Sequence, residues 1–302
     1  MKRGYIFVFL AASMWGTLGI FAKYLDGFGL TPFTMVFYRV FFAIVLLSLY
    51  LRLRGVGFSL ERSRLRFYAL YGFFSIFLFY TLYFYTVTIS SVSFAVLLLY
   101  TAPVYSIILG RLVFNEPLVR EKVTALGMVM LGVLLVNWGD VQFSTKALLF
   151  GLLTGLTYAL YGVLAKFAVR DDEPEKALFY TLLFGMLYLL PFTDFSVPSG
   201  AVPYLFALAF FPTFLGYILY NHALKEIEVS RASILATIEP VVAISLAFLL
   251  FGESLTAEQL IGAALIIGGS ALVHLSEKEK MEEGIIGGVL EEVLEEVLEE
   301  VH

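Results

Sequence analysis

SRASILATIEPVVAISLAFLLFGESLT, residues 230–256, is an apolar run long enough to cross a bilayer, interrupted near its middle by Glu239 and Pro240. About 20 apolar residues rising ~1.5 Å each span the hydrocarbon core. A carboxylate at that depth costs roughly 2.5–3.5 kcal/mol on insertion, so it is kept where it faces protein or water and by default marks a pathway. The proline removes one backbone hydrogen bond and loosens the helix at the same point. One segment thus combines a span, a charge and a hinge.

The rest of the chain has the same character. Of 302 residues, 60% are hydrophobic, and the mean hydropathy is +0.88, against ~45–50% apolar residues in soluble domains. This composition identifies an integral membrane protein with no room for a soluble catalytic domain. The absence of cysteine excludes disulfides, thiolate catalysis and cysteine metal sites, and His222, His274 and His302 are too scattered to suggest a metal site. No cofactor is expected. The net charge of −5 comes from the glutamates of residues 277–300; the body without them is slightly basic. Lys2 and Arg3 precede the first apolar run as in a signal peptide. That run is a full span, however, and bulky Met14 and Trp15 follow Ala11 and Ala12, so a retained helix is expected.

The apolar runs give ten expected spans: 5–24, 32–51, 67–87, 92–113, 123–138, 147–169, 177–191, 203–221, 231–251 and 257–275. With the N-terminus in the cytoplasm, most of the 20 lysines and arginines fall in short cytoplasmic segments, and Lys146 falls in an outside loop. The positive-inside rule therefore places both termini in the cytoplasm. The fold class expected is an all-α, multi-pass protein of the plasma (inner) membrane.

The spans repeat. WGTLGIFAK (15–23) lies over YALYGVLAK (158–166), an offset of 143, and VSFAVLLLYTAPVYSIILGRLVFNEPL (92–118) lies over VSRASILATIEPVVAISLAFLLFGESL (229–255), an offset of 137. Pro103 matches Pro240, Glu116 matches Glu253, and Lys23 matches Lys166. Residues 1–138 and 139–275 read as two five-helix units. Because five is odd, the second enters the membrane from the opposite side, which is the inverted repeat of alternating-access carriers. Residues 276–302 form an acidic tail whose four-residue repeat drifts by about 40° per step around a helix. The tail suits a short amphipathic helix against a partner or second protomer, or disorder.

WG with a lysine eight residues on, PFTMVFYRVFFA carrying Arg39, and EPV followed by GESLT together resemble the EamA-type drug/metabolite transporter superfamily. The resemblance covers about residues 5–275. It implies ten helices, a central cavity lined by helices 1–4 and 6–9, peripheral helices 5 and 10, and movement of small polar metabolites, often amino acids and often outward. The sequence departs from symmetry at two places: Ala102 stands opposite Glu239, and Leu182 opposite Arg39.

Glu239 is the first candidate for coupling or for binding a substrate amine, with a structural role at the Pro240 break as the alternative. Arg39 can hold a carboxylate bidentately or pair within the protein. Trp15, Tyr80, Tyr83, Tyr100, Tyr158, Tyr161, Tyr217 and Tyr220 lie within spans, where hydroxyls need partners, and can line a cavity for amphipathic solutes or pack between helices. Pro103 and Pro240 are candidate hinges. Lys23 with Glu253, and Lys166 with Glu116, are candidate gates on opposite faces. Alternatively, the glutamates serve the starts of helices 5 and 10, with Thr256 and Gln259 forming a capping box. Gly127, Gly132, Gly151 and Gly155 suggest close helix packing. Asn221 and His222 are expected at a solvated helix end.

The function expected is a secondary transporter, exporting amino acids or related metabolites by alternating access. A small-molecule substrate and the bilayer are the expected partners, nucleic acid is not one, and proton coupling and homo-oligomerisation are compatible with the sequence. The rivals are a membrane-embedded enzyme acting on a lipid-linked substrate and a channel or structural membrane protein. An enzyme would need a nucleophile and base pair, a metal set or a phosphate loop, and the sequence offers none.

Overall fold

In a computed structural model of the chain, residues 2–138 and 144–276 are described. The acidic tail lies outside the described residues apart from Ser276. Nine helical stretches among the described residues are long and apolar enough to cross a membrane. They are α1 (Arg3–Asp26), α2 (Pro32–Leu53), α3 (Arg62–Thr88), α4 (Val92–Phe114), α6 (Thr145–Asp171), α7 (Pro174–Phe192), α8 (Ser199–Glu226), α9 (Val229–Phe251) and α10 (Ala257–Ser276). The remaining long helix, α5 (Arg120–Val136), has 17 residues, about 25 Å of rise against a ~30 Å core.

Several helices begin earlier or end later than hydropathy indicates because charged side chains at their ends are paired. The α3 start is held by Arg64, which reaches Asp171 at 2.5 Å and Asp172 at 2.7 Å at the end of α6. Likewise α8 runs past Asn221 and His222 to Glu226. The solvated end expected there is corrected: Asn221 is fully buried, and His222 Nε2 lies 2.9 Å from Glu175 Oε1.

Three spans are broken at mid-depth, and a threonine marks each break. The hydroxyls of Thr17, Thr101 and Thr237 donate to the carbonyls three residues back, Met14, Leu98 and Ile234, at 2.6, 2.6 and 2.5 Å. In α4 and α9 the breaks directly precede Ala102–Pro103 and Glu239–Pro240, since proline disfavours helical geometry in the residue before it. The repeat register of 137 relates these two breaks. It also relates the widened turns of α3 (Phe73–Leu78) and α8 (Ala209–Leu215), and the left-handed residues Asn115 and Gly252 that end α4 and α9.

Helices α5 and α10 press together through small residues: a Cβ on Gly132 would lie 2.7 Å from the Gly262 carbonyl, and one on Gly262 2.6 Å from that of Gly132. Gly151 and Gly155 similarly admit Leu98 and Thr101 of α4 against α6, whereas Gly127 has no neighbour within 4 Å, correcting its expected packing role. The half of α9 after its break is thinly covered, with Phe248, Leu249 and Leu250 exposed by 50%, 71% and 59%.

Candidate functional site

A cavity of about 780 Å³ occupies the middle of the helix set. Its wall runs from Trp15, Arg39, Tyr158 and Glu239 at mid-depth to Leu25, Pro32, Val92, Trp138 and Gln259. These last five are all helix ends on the face opposite the N-terminus, so the cavity opens on that face.

Glu239 is the first residue of the half-helix Glu239–Phe251, where the positive end of the helix dipole favours a carboxylate. It interacts with Tyr100 and, at longer range, with Arg39. Arg39 is buried, and its Nε donates to Thr213 Oγ1 at 2.7 Å. The local cause lies in α8: Pro212 brings no N–H to the widened turn, and the Thr213 hydroxyl donates to the Leu208 carbonyl at 3.1 Å, leaving its oxygen to receive Arg39. The guanidinium also sits 5.4 Å from the Tyr80 ring centre. No ion pair joins Arg39 to Glu239 among the described residues, and the two terminal nitrogens of Arg39, a cavity-lining residue, have no protein partner there. They are open donors. Thr213 escaped the sequence reading; the adjacent proline within an apolar span was the available signal.

Of the candidate aromatics, Trp15, Tyr80, Tyr83, Tyr100, Tyr158 and Tyr217 line the cavity. Tyr161 and Tyr220 do not: they lie beneath its floor, with Tyr161 donating to Asn221 Oδ1 at 3.0 Å. Trp15 makes the floor. Its indole N–H donates to the Pro212 carbonyl at 2.9 Å, and its ring lies 5.5 Å from Tyr217 and 5.2 Å from Tyr220. Pro103 and Pro240 open the second halves of α4 and α9, each as the second residue of its half-helix. Leu182, opposite Arg39 in the repeat, is fully buried.

The candidate gates differ between faces. On the open face Lys23 Nζ lies 2.9 Å from Glu253 Oε1 and 3.8 Å from the Phe251 ring centre, with both charged side chains more than half exposed. On the N-terminal face Glu116 is buried and caps α9: it accepts from Val229 N at 2.7 Å, Ser230 N at 3.1 Å and the Ser230 hydroxyl. Lys166 lies 3.9 Å from Glu116 but donates to the Ile227 carbonyl at 2.6 Å. The expected Lys166–Glu116 pair is therefore secondary to a carboxylate cap, and the helix capped is α9 rather than α5. Around it Glu228 joins Lys122 at 2.5 Å and Arg231 at 2.8 Å. The capping box is present, with Thr256 N to Gln259 Oε1 at 3.0 Å and Gln259 N to Thr256 Oγ1 at 3.3 Å.

The chain matches the EamA-like transporter family over residues 2–138 and 145–275. It is 34% identical over 272 residues to an uncharacterized transporter of Archaeoglobus fulgidus, covering 89% of this chain and 95% of that one. An S-adenosylmethionine uptake transporter of Rickettsia felis is 27% identical, covering 87% of this chain and 89% of the relative. A probable amino-acid metabolite efflux pump of Salmonella typhimurium is 26% identical, over 58% of this chain and 64% of the relative. A crystal structure of a protein 18% identical superposes with a TM-score of 0.81 over 92% of this chain and 99% of that chain, which shows a shared fold.

Proposed function

This chain belongs to the EamA-like transporter family, and on that premise we propose that it is a secondary carrier exporting an amino acid or closely related zwitterion by alternating access. It is a multi-pass protein of the plasma membrane. The observation that carries the reading is the pair of opposite charges on one cavity wall: Glu239 in the first turn of a half-helix, and Arg39 with its terminal nitrogens unpartnered. An ammonium group suits Glu239 and Tyr100, and a carboxylate suits the planar fork of Arg39. The aromatic wall receives the remainder of the solute. Two relatives support this class in their names, one for an amino-acid metabolite and one for S-adenosylmethionine, itself an α-amino acid.

The positive-inside reading makes the N-terminal face cytoplasmic, so the conformation described is open to the outside. Lys23–Glu253 and the Glu116 cap are then the outer and inner gates, and Pro103 and Pro240 the hinges. Protonation of Glu239 is the coupling step we assign, since it is a mid-depth carboxylate reached from the cavity.

Reconstituted liposomes test the proposal. Saturable uptake that is accelerated by unlabelled solute on the far side identifies a carrier, unsaturable flux a channel, and chemical conversion of the solute an enzyme. A thermal-stability screen of amino acids, nucleosides, sugars and hydrophobic cations is expected to find stabilisation by zwitterions. Stabilisation by none of these classes removes the cavity argument.

A further inference from the structure

Beneath Trp15 and Tyr158, on the side away from the open mouth, lies a void of about 10 Å³ lined by Ser106, Tyr161, Tyr220, Ser233 and Ala236. Under the repeat registers of 143 and 137 these residues correspond to Ala243, Leu18, Tyr83, Val96 and Leu99. Every one of those counterparts lines the open cavity, and the two roof residues, Trp15 and Tyr158, are counterparts of each other. A packing defect would have no reason to be walled by the second copy of one set. This correspondence marks the void as the collapsed partner of the open cavity.

The two sets differ in chemistry. Ser106, Ser233 and Tyr161 carry hydroxyls where Ala243, Val96 and Leu18 carry hydrocarbon. Polar capacity is also left over beside the void: the side-chain nitrogen of Asn221, whose oxygen accepts from Tyr161, is buried without a partner. The ring of Tyr71 lies 5.7 Å from that of Tyr161, behind the same wall. Buried donors and acceptors are normally satisfied, and those that are not call for a ligand or water in some state of the protein.

We propose that Ser106, Tyr161, Tyr220 and Ser233, with Asn221 behind them, form a second solute-contact site that opens when the N-terminal face opens. It takes the polar groups of an amino-acid-like solute by neutral hydrogen bonds, whereas the present cavity presents its hydrocarbon wall on the other face. This rests on the alternating-access reading above.

The natural absence of cysteine makes the test direct. Single variants Ser106→Cys, Ser233→Cys, Val96→Cys and Ala243→Cys of the full chain are exposed to a membrane-impermeant maleimide from each side of sealed vesicles. Val96→Cys and Ala243→Cys are expected to label from the open face. Ser106→Cys and Ser233→Cys are expected to resist from both faces, and to label from the opposite face alone once Glu116→Ala removes the cap on α9. Failure to label in either background, or labelling from the same face as Val96→Cys, overturns the site. Zero-trans flux of L-serine and L-phenylalanine then reads selectivity. Ser106→Ala with Ser233→Val is expected to raise the L-serine KM about fivefold for entry at the N-terminal face, with little change at the other face. An equal change at both faces overturns the polar assignment. Absence of any flux overturns the zwitterion reading, while the labelling pattern still decides the site.

Discussion

Glu239 and Arg39 are held in different ways, and their substitutions therefore report different things. Glu239 begins a half-helix, and Glu239→Gln keeps its shape, so the fold is expected to persist while affinity for a stabilising zwitterion falls by about tenfold or more. Titration of thermal stability with the solute measures this, and unchanged affinity would remove Glu239 as its ligand. Arg39 depends on a hydroxyl that itself depends on the widened turn of α8. Thr213→Val leaves the guanidinium short of one partner, and a stability loss of about 1–3 kcal/mol is expected in denaturation in detergent. Outside the spans, Glu228 is pushed up by burial, but the hydrogen bonds and charges of Lys122 and Arg231 outweigh this and hold its carboxyl below the usual range. A carboxylate with a depressed folded value adds stability that is complete above its ordinary value of about 4.3 and disappears as pH falls through the folded one. Melting temperature is thus expected to drop below about pH 4, and Glu228→Gln to reduce that drop.

The inner and outer ends of α4 and α9 are copies with one difference in fit. A Cβ on Gly110 would lie 2.5 Å from Glu116 Oε2, so the folded-back carboxylate that caps α9 needs a glycine there. Its counterpart is Ala247, whose Cβ denies Glu253 the same pose toward Val92 and Ser93 at the start of α4. On the gating proposal, the closure of the N-terminal face is therefore the stronger of the two. Gly110→Ala is expected to shift maleimide labelling of Ser233→Cys from absent to measurable, and Ala247→Gly to slow labelling of Val96→Cys. No change in either rate would assign the cap a purely structural role. The sequence made Glu116, Glu253 and their lysines visible as copies, because registers survive duplication. It did not reveal the cap, whose partners lie 113 and 114 residues away.

At the scale of the whole molecule, α5 and α10 join the two units along a seam of backbone contact. A side chain of any size at Gly262 meets the Gly132 carbonyl. Gly262→Leu is expected to destabilise by about 1–3 kcal/mol or more, and Gly127→Ala, in open space, to be silent in the same melt. Spans and repeats were legible because length, hydropathy and register are properties of the chain itself. The rotation of each helix was not: the few polar residues of α4 and α9 are scattered among apolar ones, and the breaks at Thr101 and Thr237 interrupt the helical period, so the pattern gave no single phase across either span. For the same reason Tyr83 could not be told from its copy Tyr220, one facing the cavity and the other lying beneath it. The widened turn of α8, which holds Thr213 against Arg39, left no hydropathy signal beyond Pro212.

The exposed flank of α9 adds the surrounding lipid to this mechanism. On the alternating-access proposal, Phe248, Leu249 and Leu250 lie on the half-helix that moves when the open mouth closes, and the described residues cover little of them. Acyl chains are then the packing partner of a moving part, and bilayer thickness and lateral pressure become variables in the balance between the two faces. The same chain reconstituted in shorter or longer acyl chains should rest with different fractions of its mouths open, without any change in its residues.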